Sequence, residues 1–180
     1  MIIGITGTIG AGKGTIVSYL EKKGFRHVSV SDFLADVAKE RGIEATRIAR
    51  RTIGNEYRTK SKTALIEAVL ADVNPLKEHI VVESLHTASE VEYVRSLGGT
   101  IISIDAPLSV RYERIVKRGS MTDQVSLEEF VLEEKRQLAS DDPNENNLIA
   151  SISLADIHLE NNGSPQELYQ AIDDILERLI

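Results

Sequence analysis

Cysteine is absent from these 180 residues. The chain can therefore build neither a disulfide framework nor a thiolate metal site, which fits a reducing compartment and an expected cytoplasmic location. No run approaches the ~18 apolar residues of a membrane span, so no membrane partner is expected. The start, MIIGITG, carries no basic leader, so no secretory signal is expected either. Positive charge is in short supply: 21 Lys and Arg stand against 28 Asp and Glu, a net charge of −7. That balance argues against nucleic acid as the main partner. The four histidines show no metal-ligand spacing, and His27, His79 and His158 read as packing or surface residues. Internal repeats and low-complexity linkers are missing as well. What remains is one domain over residues 1–180, a monomer or small homo-oligomer, with an ordinary apolar fraction of 42%.

Strand and helix patterns alternate along it. Met1–Thr6 is β-branched and apolar, as in a buried parallel strand. Ile16, Val17 and Leu20 follow at helical spacing, closed by Lys22, Lys23 and Gly24. His27–Val30 reads as a second strand, and Ser31 or Asp32 as the cap of a helix over Phe33–Arg41. Ala45–Val73 is polar and helical, with a break expected near Gly54. Further strands are expected at His79–Val82, at Thr100–Ile104 and around Ile157 and Leu159, and helices at Ser89–Ser96, Pro107–Arg118 and Leu127–Leu138. Leu108, Tyr112, Ile115 and Val116 form the apolar stripe of the second of these helices. Ser140–Asn147 is the most solvated segment. Ser164, Pro165 and Glu167 make a capping box for a last helix carrying Leu168, Ile172, Ile175 and Leu179. Five strands alternating with helices predict a three-layer α/β domain with a mostly parallel sheet. The polar regions at about 32–73 and 119–126 are expected to be flaps on it.

Four of the twelve glycines fall between Gly7 and Gly14. Gly7, Thr8, Ile9, Gly10, Ala11, Gly12 and Lys13 match the phosphate-loop spacing G-x-x-x-x-G-K, with a strand before and a helix after. Inward-pointing amides and the helix N-terminus there make an anion nest, and Lys13 reaches the terminal phosphates. Gly14 stands where Ser or Thr normally helps hold Mg²⁺; Thr15, one residue later, is a donor to a phosphate and a candidate metal contact. Arg111, Arg114 and Arg118 share one helix face, a concentration of cations that suggests an anionic ligand in an acidic protein. A solvated basic face paired with Glu113 is the alternative.

On the acceptor side, Asp32 follows the second strand, where open α/β sheets bind ligands. It orients an acceptor group or caps a helix. Arg47, Arg50, Arg51, Arg58, Lys60 and Lys62 make the next region basic; some are expected to clamp an acceptor phosphate, and at least half to be ordinary surface charge. Glu83, ending the third strand, can hold Mg²⁺ through water or bind the acceptor. Asp105 reads as a helix cap before Pro107.

The stretch GTIGAGKGT resembles the phosphate loop of nucleoside monophosphate kinases. ADIHLENNGSPQEL, residues 155–168, resembles the C-terminal segment of dephospho-coenzyme A kinases and their archaeal relatives, and SVSDFL, ESLHTASEVEYVR and RYERIVKRG sit where this group carries acceptor and lid elements. The resemblance spans almost the whole chain. It implies an ATP- and Mg²⁺-dependent phosphotransferase acting on small-molecule nucleotides. Arg114 and Arg118 then begin a lid, with Arg136 on its far side; Arg58, or Arg51, binds the acceptor; backbone at Asn162 and Gly163 packs against adenine, where the residues alone allow a simple turn. His86 stands where relatives carry Arg, a few residues after an Asp that is Glu83 here. A (deoxy)nucleoside monophosphate is the expected acceptor, dephospho-coenzyme A the alternative, and a nucleotide-binding switch or regulatory ATPase the alternative of another class.

Overall fold

The structure, a computed structural model, describes residues 1–74, 76–119, 125–140, 142 and 144–179. The lid expected at about 119–126 falls mostly on residues outside this set. In chain order the elements are β1 (Ile2–Gly7), α1 (Lys13–Lys22), β2 (Arg26–Ser29), α2 (Val30–Glu40), α3 (Arg47–Lys60), α4 (Ala64–Val69), β3 (Ile80–Glu83), α5 (Ala88–Ser96), β4 (Thr100–Asp105), α6 (Leu108–Arg118), α7 (Leu127–Leu138), α8 (Leu148–Ser153), β5 (Ile157–Glu160) and α9 (Pro165–Leu179).

The five strands form one parallel sheet in the order β2-β3-β1-β4-β5. All of β1 is buried, as its uninterrupted apolar run requires of a central strand covered on both sides. Alternation then sorts the side chains onto two faces. Ile2, Ile80, Val82 and Ile101 point into a core built with Val30 and Leu34 of α2, Ile53 of α3, Leu65 of α4 and Val91 of α5. Ile3, Ile5, Val81, Ile102 and Ile104 point into the other, closed by Ile16, Val17 and Leu20 of α1 and Leu168, Ile172 and Ile175 of α9. This is the expected three-layer α/β architecture. Parallel strands aim their carboxyl ends the same way, so the residues leaving β1, β2, β3, β4 and β5 gather on one rim.

Several local expectations are corrected. The helix after β2 starts at Val30 and its cap is Ser29, whose Oγ accepts from Asp32 N at 3.1 Å; Ser31 and Asp32 lie inside the helix. Gly54 does not break α3. It is buried and faces Leu34 and Leu65, so tertiary packing outweighs weak propensity there. The break comes at Ser61, the C-cap. On α6 the apolar stripe is not the buried one: Ile115 is buried but Leu108 and Val116 are exposed, and the other buried side chain is Arg111. Within the segment expected to be the most solvated, Asn144 and Asn146 contact buried Arg58, and α8 follows it without having been expected. The capping box of α9 is present: Glu167 N donates to Ser164 Oγ and Ser164 N to Glu167 Oε2.

Candidate functional site

The loop leaving β1 turns through Gly10 at φ 79° and Gly12 at φ 115°, conformations that side-chain-bearing residues rarely adopt. A Cβ on Gly12 would also collide with the amide of Asn161, and one on Gly10 would lie 2.6 Å from the Arg111 carbonyl. Gly12 caps α1 without any side-chain hydrogen bond, and no acidic residue occupies the first turn. The helix N-terminus is thus left for an exogenous anion. Lys13 Nζ folds back and donates to Gly7 O at 2.7 Å and Thr8 O at 2.9 Å. Burial, reinforced by the charges of Arg118 and Arg111 and opposed by Glu83 and Asp105, pushes Lys13 down to about 8. An arriving polyphosphate would restore the charge that burial disfavours.

Four side chains brace this loop from outside. Asp105, at the end of β4, accepts from Thr8 Oγ1 and from Ala106 N. Arg111, 6% exposed, donates to Ala106 O and Ile9 O and pairs with Glu134 of α7. Asn161 Nδ2 donates to Ala11 O at 2.8 Å, while Arg114 donates to Ala11 O at 3.3 Å and Asn161 O at 3.0 Å. Arg111 therefore serves the loop's shape, and Arg114 ties the loop to the end of β5. Asn162 and Gly163, the residues expected near a base, are exposed; the buried asparagine against the loop is Asn161, one position earlier. The doubled asparagine was the available signal, and the strand boundary decides which of the two turns inward.

Two cavities flank Lys13. The loop-side cavity, about 660 Å³, is bordered by Gly12, Gly14, Thr15, Ser18, Arg114 and Tyr169. The α3-side cavity, about 520 Å³, is bordered by Ser29, Asp32, Arg47, Arg50, Arg51 and Arg58, with Ser84, His86, Glu133 and Asn146. Gly10, Lys13, Glu83 and Arg118 border both. The structure thus brings Lys13, Arg118, Asp32, Arg51, Arg58 and Glu83 together around the α3-side cavity and puts Arg114 and Thr15 beside the loop-side one.

Arg58 is nevertheless committed elsewhere. It is 4% exposed and donates through Nε and Nη2 to Glu90 Oε1, at 3.0 and 2.8 Å, and through Nη1 to Asn146. Glu90 Oε2 in turn accepts from His86 N and Thr87 N. The side chains around it make Arg58 a tie between α3, α5 and the 144–147 loop, whose Asn147 N donates to His86 O. Arg50 donates to Ser31 Oγ at 3.0 Å and lies beside Arg51 on the same wall. Glu83 Oε2 shares a hydrogen bond with His27 Nε2 at 3.0 Å. His86 sits half-buried in the wall, and burial followed by the charges of Lys13 and Arg58 pushes it down to about 3, so its imidazole is neutral near pH 7. Ser84 holds φ 70°, the one non-glycine residue with positive φ among those described. Sequence reasoning missed Ser84, Asn146, Asn161 and Tyr169; Asn146 and Tyr169 carried no local signal at all.

Among the described residues no cluster of three or more His, Asp or Glu side chains could cage a metal, and no helix is long and apolar enough to cross a membrane. The oxygen donors present, Glu83 at the junction and Thr15 beside the loop-side cavity, fit a hard cation carried largely by phosphates and water.

Comparison with known proteins matches residues 3–148 to the family described as AAA domain. A UPF0200 protein of Pyrococcus abyssi is 30% identical over 188 residues, covering 100% of this chain and 97% of that one. A UPF0200 protein of Methanocaldococcus jannaschii is 30% identical over 189 residues, covering 100% and 91%. Among solved structures, TT1252 from Thermus thermophilus superposes with a TM-score of 0.65 at 24% identity, covering 100% of this chain and 98% of that one. Shikimate kinase from Aquifex aeolicus gives 0.57 at 20% identity, covering 98% and 96%. Dephospho-CoA kinase from Campylobacter jejuni gives 0.55 at 17%, again covering 98% and 96%. The fold is that of the P-loop kinases.

Proposed function

The chain belongs to the AAA domain family and to the UPF0200 proteins, and from its glycine loop and the two cavities that meet on Lys13 we propose that it is an ATP- and Mg²⁺-dependent phosphotransferase, moving the γ-phosphoryl group to a nucleotide-type acceptor of the (deoxy)nucleoside monophosphate class. The observation that carries this reading is the pair of cavities meeting at Gly10, Lys13, Glu83 and Arg118. A switch or simple ATPase needs only the donor side. Here a second cavity opens on the same lysine, and Arg47, Arg50 and Arg51 of α3 line it.

The roles follow from chemistry. Amides from Gly7 to Thr15 hold the donor phosphates, and Lys13 neutralises charge on the moving group. Arg118, bordering both cavities, stabilises charge spread over the transferred oxygens. Arg114 keeps the loop in shape beside the donor. Asp32 and Arg51 position the acceptor, with Arg58 holding the wall behind them. Glu83 and Thr15 would hold Mg²⁺, which supplies charge neutralisation on the phosphates. Little acid–base work is required, because positioning and electrostatics carry most of such a transfer.

The test is an acceptor screen. Purified chain with ATP and Mg²⁺ is given nucleoside and deoxynucleoside monophosphates, dephospho-coenzyme A and shikimate, and products are weighed by mass spectrometry. The expected result is one added phosphoryl group on a monophosphate, with ATP consumption strongly stimulated by that acceptor. Phosphorylation of dephospho-coenzyme A alone would move the assignment to that acceptor. ATP hydrolysis that no acceptor stimulates would overturn the kinase reading in favour of a switch.

A further inference from the structure

The loop-side cavity, the donor side of the proposed reaction, does not end at the phosphate loop. It continues along the face of α1 that carries Thr15 and Ser18 and is bordered at α9 by Tyr169. Thr15 and Ser18 lie three residues apart, about 4.5 Å of helix rise, so a ligand anchored at the loop and lying along this face extends toward the tyrosine. Tyr169 is stacked on Tyr19, with ring centroids 4.3 Å apart and planes 11° from parallel.

The two tyrosines are held differently. Tyr19 packs against the core between α1 and α9. Its hydroxyl donates to Asp173 Oδ2 at 2.7 Å, Lys23 pairs with the same carboxylate at 2.7 Å, and Lys23 Nζ lies 5.1 Å from the Tyr19 ring centroid. Tyr19 is therefore fixed from its edge and from one side. Tyr169 lies outside that core cluster, half-buried, with Tyr19 as its aromatic neighbour and the cavity beside it. An aromatic ring so backed has little rotamer freedom left to lose when a second flat ring settles on it. Arg114 borders the same cavity, its guanidinium held by two backbone carbonyls.

We propose that Tyr169, clamped by Tyr19, is the stacking platform for the base of the donor nucleoside triphosphate. This rests on the reading of the glycine loop as a triphosphate site, and it adds what that loop lacks: a contact to the aromatic end of the donor. Face-to-face stacking is tolerant of base identity, so the platform supplies affinity for a base in general.

Calorimetry with two ligands tests it: Mg–ATP, and inorganic triphosphate with Mg²⁺. Wild type is expected to bind both, ATP the more tightly. Tyr169→Ala is expected to weaken ATP about tenfold while leaving inorganic triphosphate unchanged, and Tyr169→Phe to keep both affinities. Tyrosine emission gives a second readout, since the chain has no tryptophan: ATP quenches it in wild type, and the part lost in Tyr169→Ala belongs to the platform. Unchanged ATP affinity in Tyr169→Ala overturns the proposal, as does equal weakening of both ligands, which marks a structural disturbance. Failure of wild type to bind either ligand would sink the triphosphate site itself, a different result from triphosphate binding that survives while the tyrosine proves irrelevant.

Discussion

Acid titration of His86 offers a quantity that can be worked out from its surroundings. Burial, then the positive charges of Lys13 and Arg58, move its imidazole from 6.5 to about 3. Between those values the unfolded chain binds a proton that the folded chain refuses. Stability therefore falls as pH drops below 6.5 and is unaffected by this group above it. At pH 5.5, one unit below the unfolded value, the loss is about 1.4 kcal/mol relative to pH 7.5, and it is insensitive to the folded value so long as that lies below about 4.5. For a chain of this size that corresponds to about 3–6 °C of melting temperature. Far-UV circular dichroism melts of wild type and His86→Gln at both pH values measure it. Carboxylates titrate in both proteins and cancel in the difference, so wild type should lose about 3–6 °C more than the variant on acidification. Parallel losses in the two proteins would refute the placement of a neutral imidazole beside two cations.

Three further outcomes are expected. Lys13→Ala should lower phosphoryl transfer by about a thousandfold, yet leave the ligand-free melting temperature unchanged or higher, because a desolvated ammonium is removed; a large drop in melting temperature would show that the lysine is structural. Arg58→Leu strands Glu90 in the interior without its cation and should cost about 3–5 kcal/mol by urea unfolding; the double variant with Glu90→Leu should recover much of that, and a double variant as unstable as the single would refute the pairing argument. Ser84→Gly should be neutral to about 1 kcal/mol more stable and Ser84→Val at least about 1 kcal/mol less stable, since φ 70° suits glycine and opposes a β-branched side chain; equal effects of the two substitutions would show that the backbone there is not left-handed.

The parts of this molecule that were legible in its sequence are those whose partners are close along the chain. The phosphate loop could be read because strand, glycines, lysine and helix follow one another within residues 2–22. The α9 capping box could be read because Ser164 and Glu167 are three apart. The strands could be counted, since each is a short apolar run, but their spatial order is a property of the assembled sheet. Arg51 and Arg58 show where local reading stops. Both lie on α3, seven residues and two turns apart, and both line the α3-side cavity. Their sequence neighbourhoods give no reason to assign them different work. What separates them is Glu90, 32 positions from Arg58, and Asn146, 88 positions away. Those partners take up the hydrogen-bonding capacity of one guanidinium and turn a candidate ligand contact into a support for the wall. Arg111 follows the same logic, being fixed by Ile9, 102 positions away, and by Glu134. Helical spacing tells which arginines share a face; whether a given one meets a substrate or a buried carboxylate is decided by elements that only folding brings alongside. Arg51, rather than Arg58 or Arg111, is therefore the guanidinium group whose removal should change binding and turnover before it changes stability.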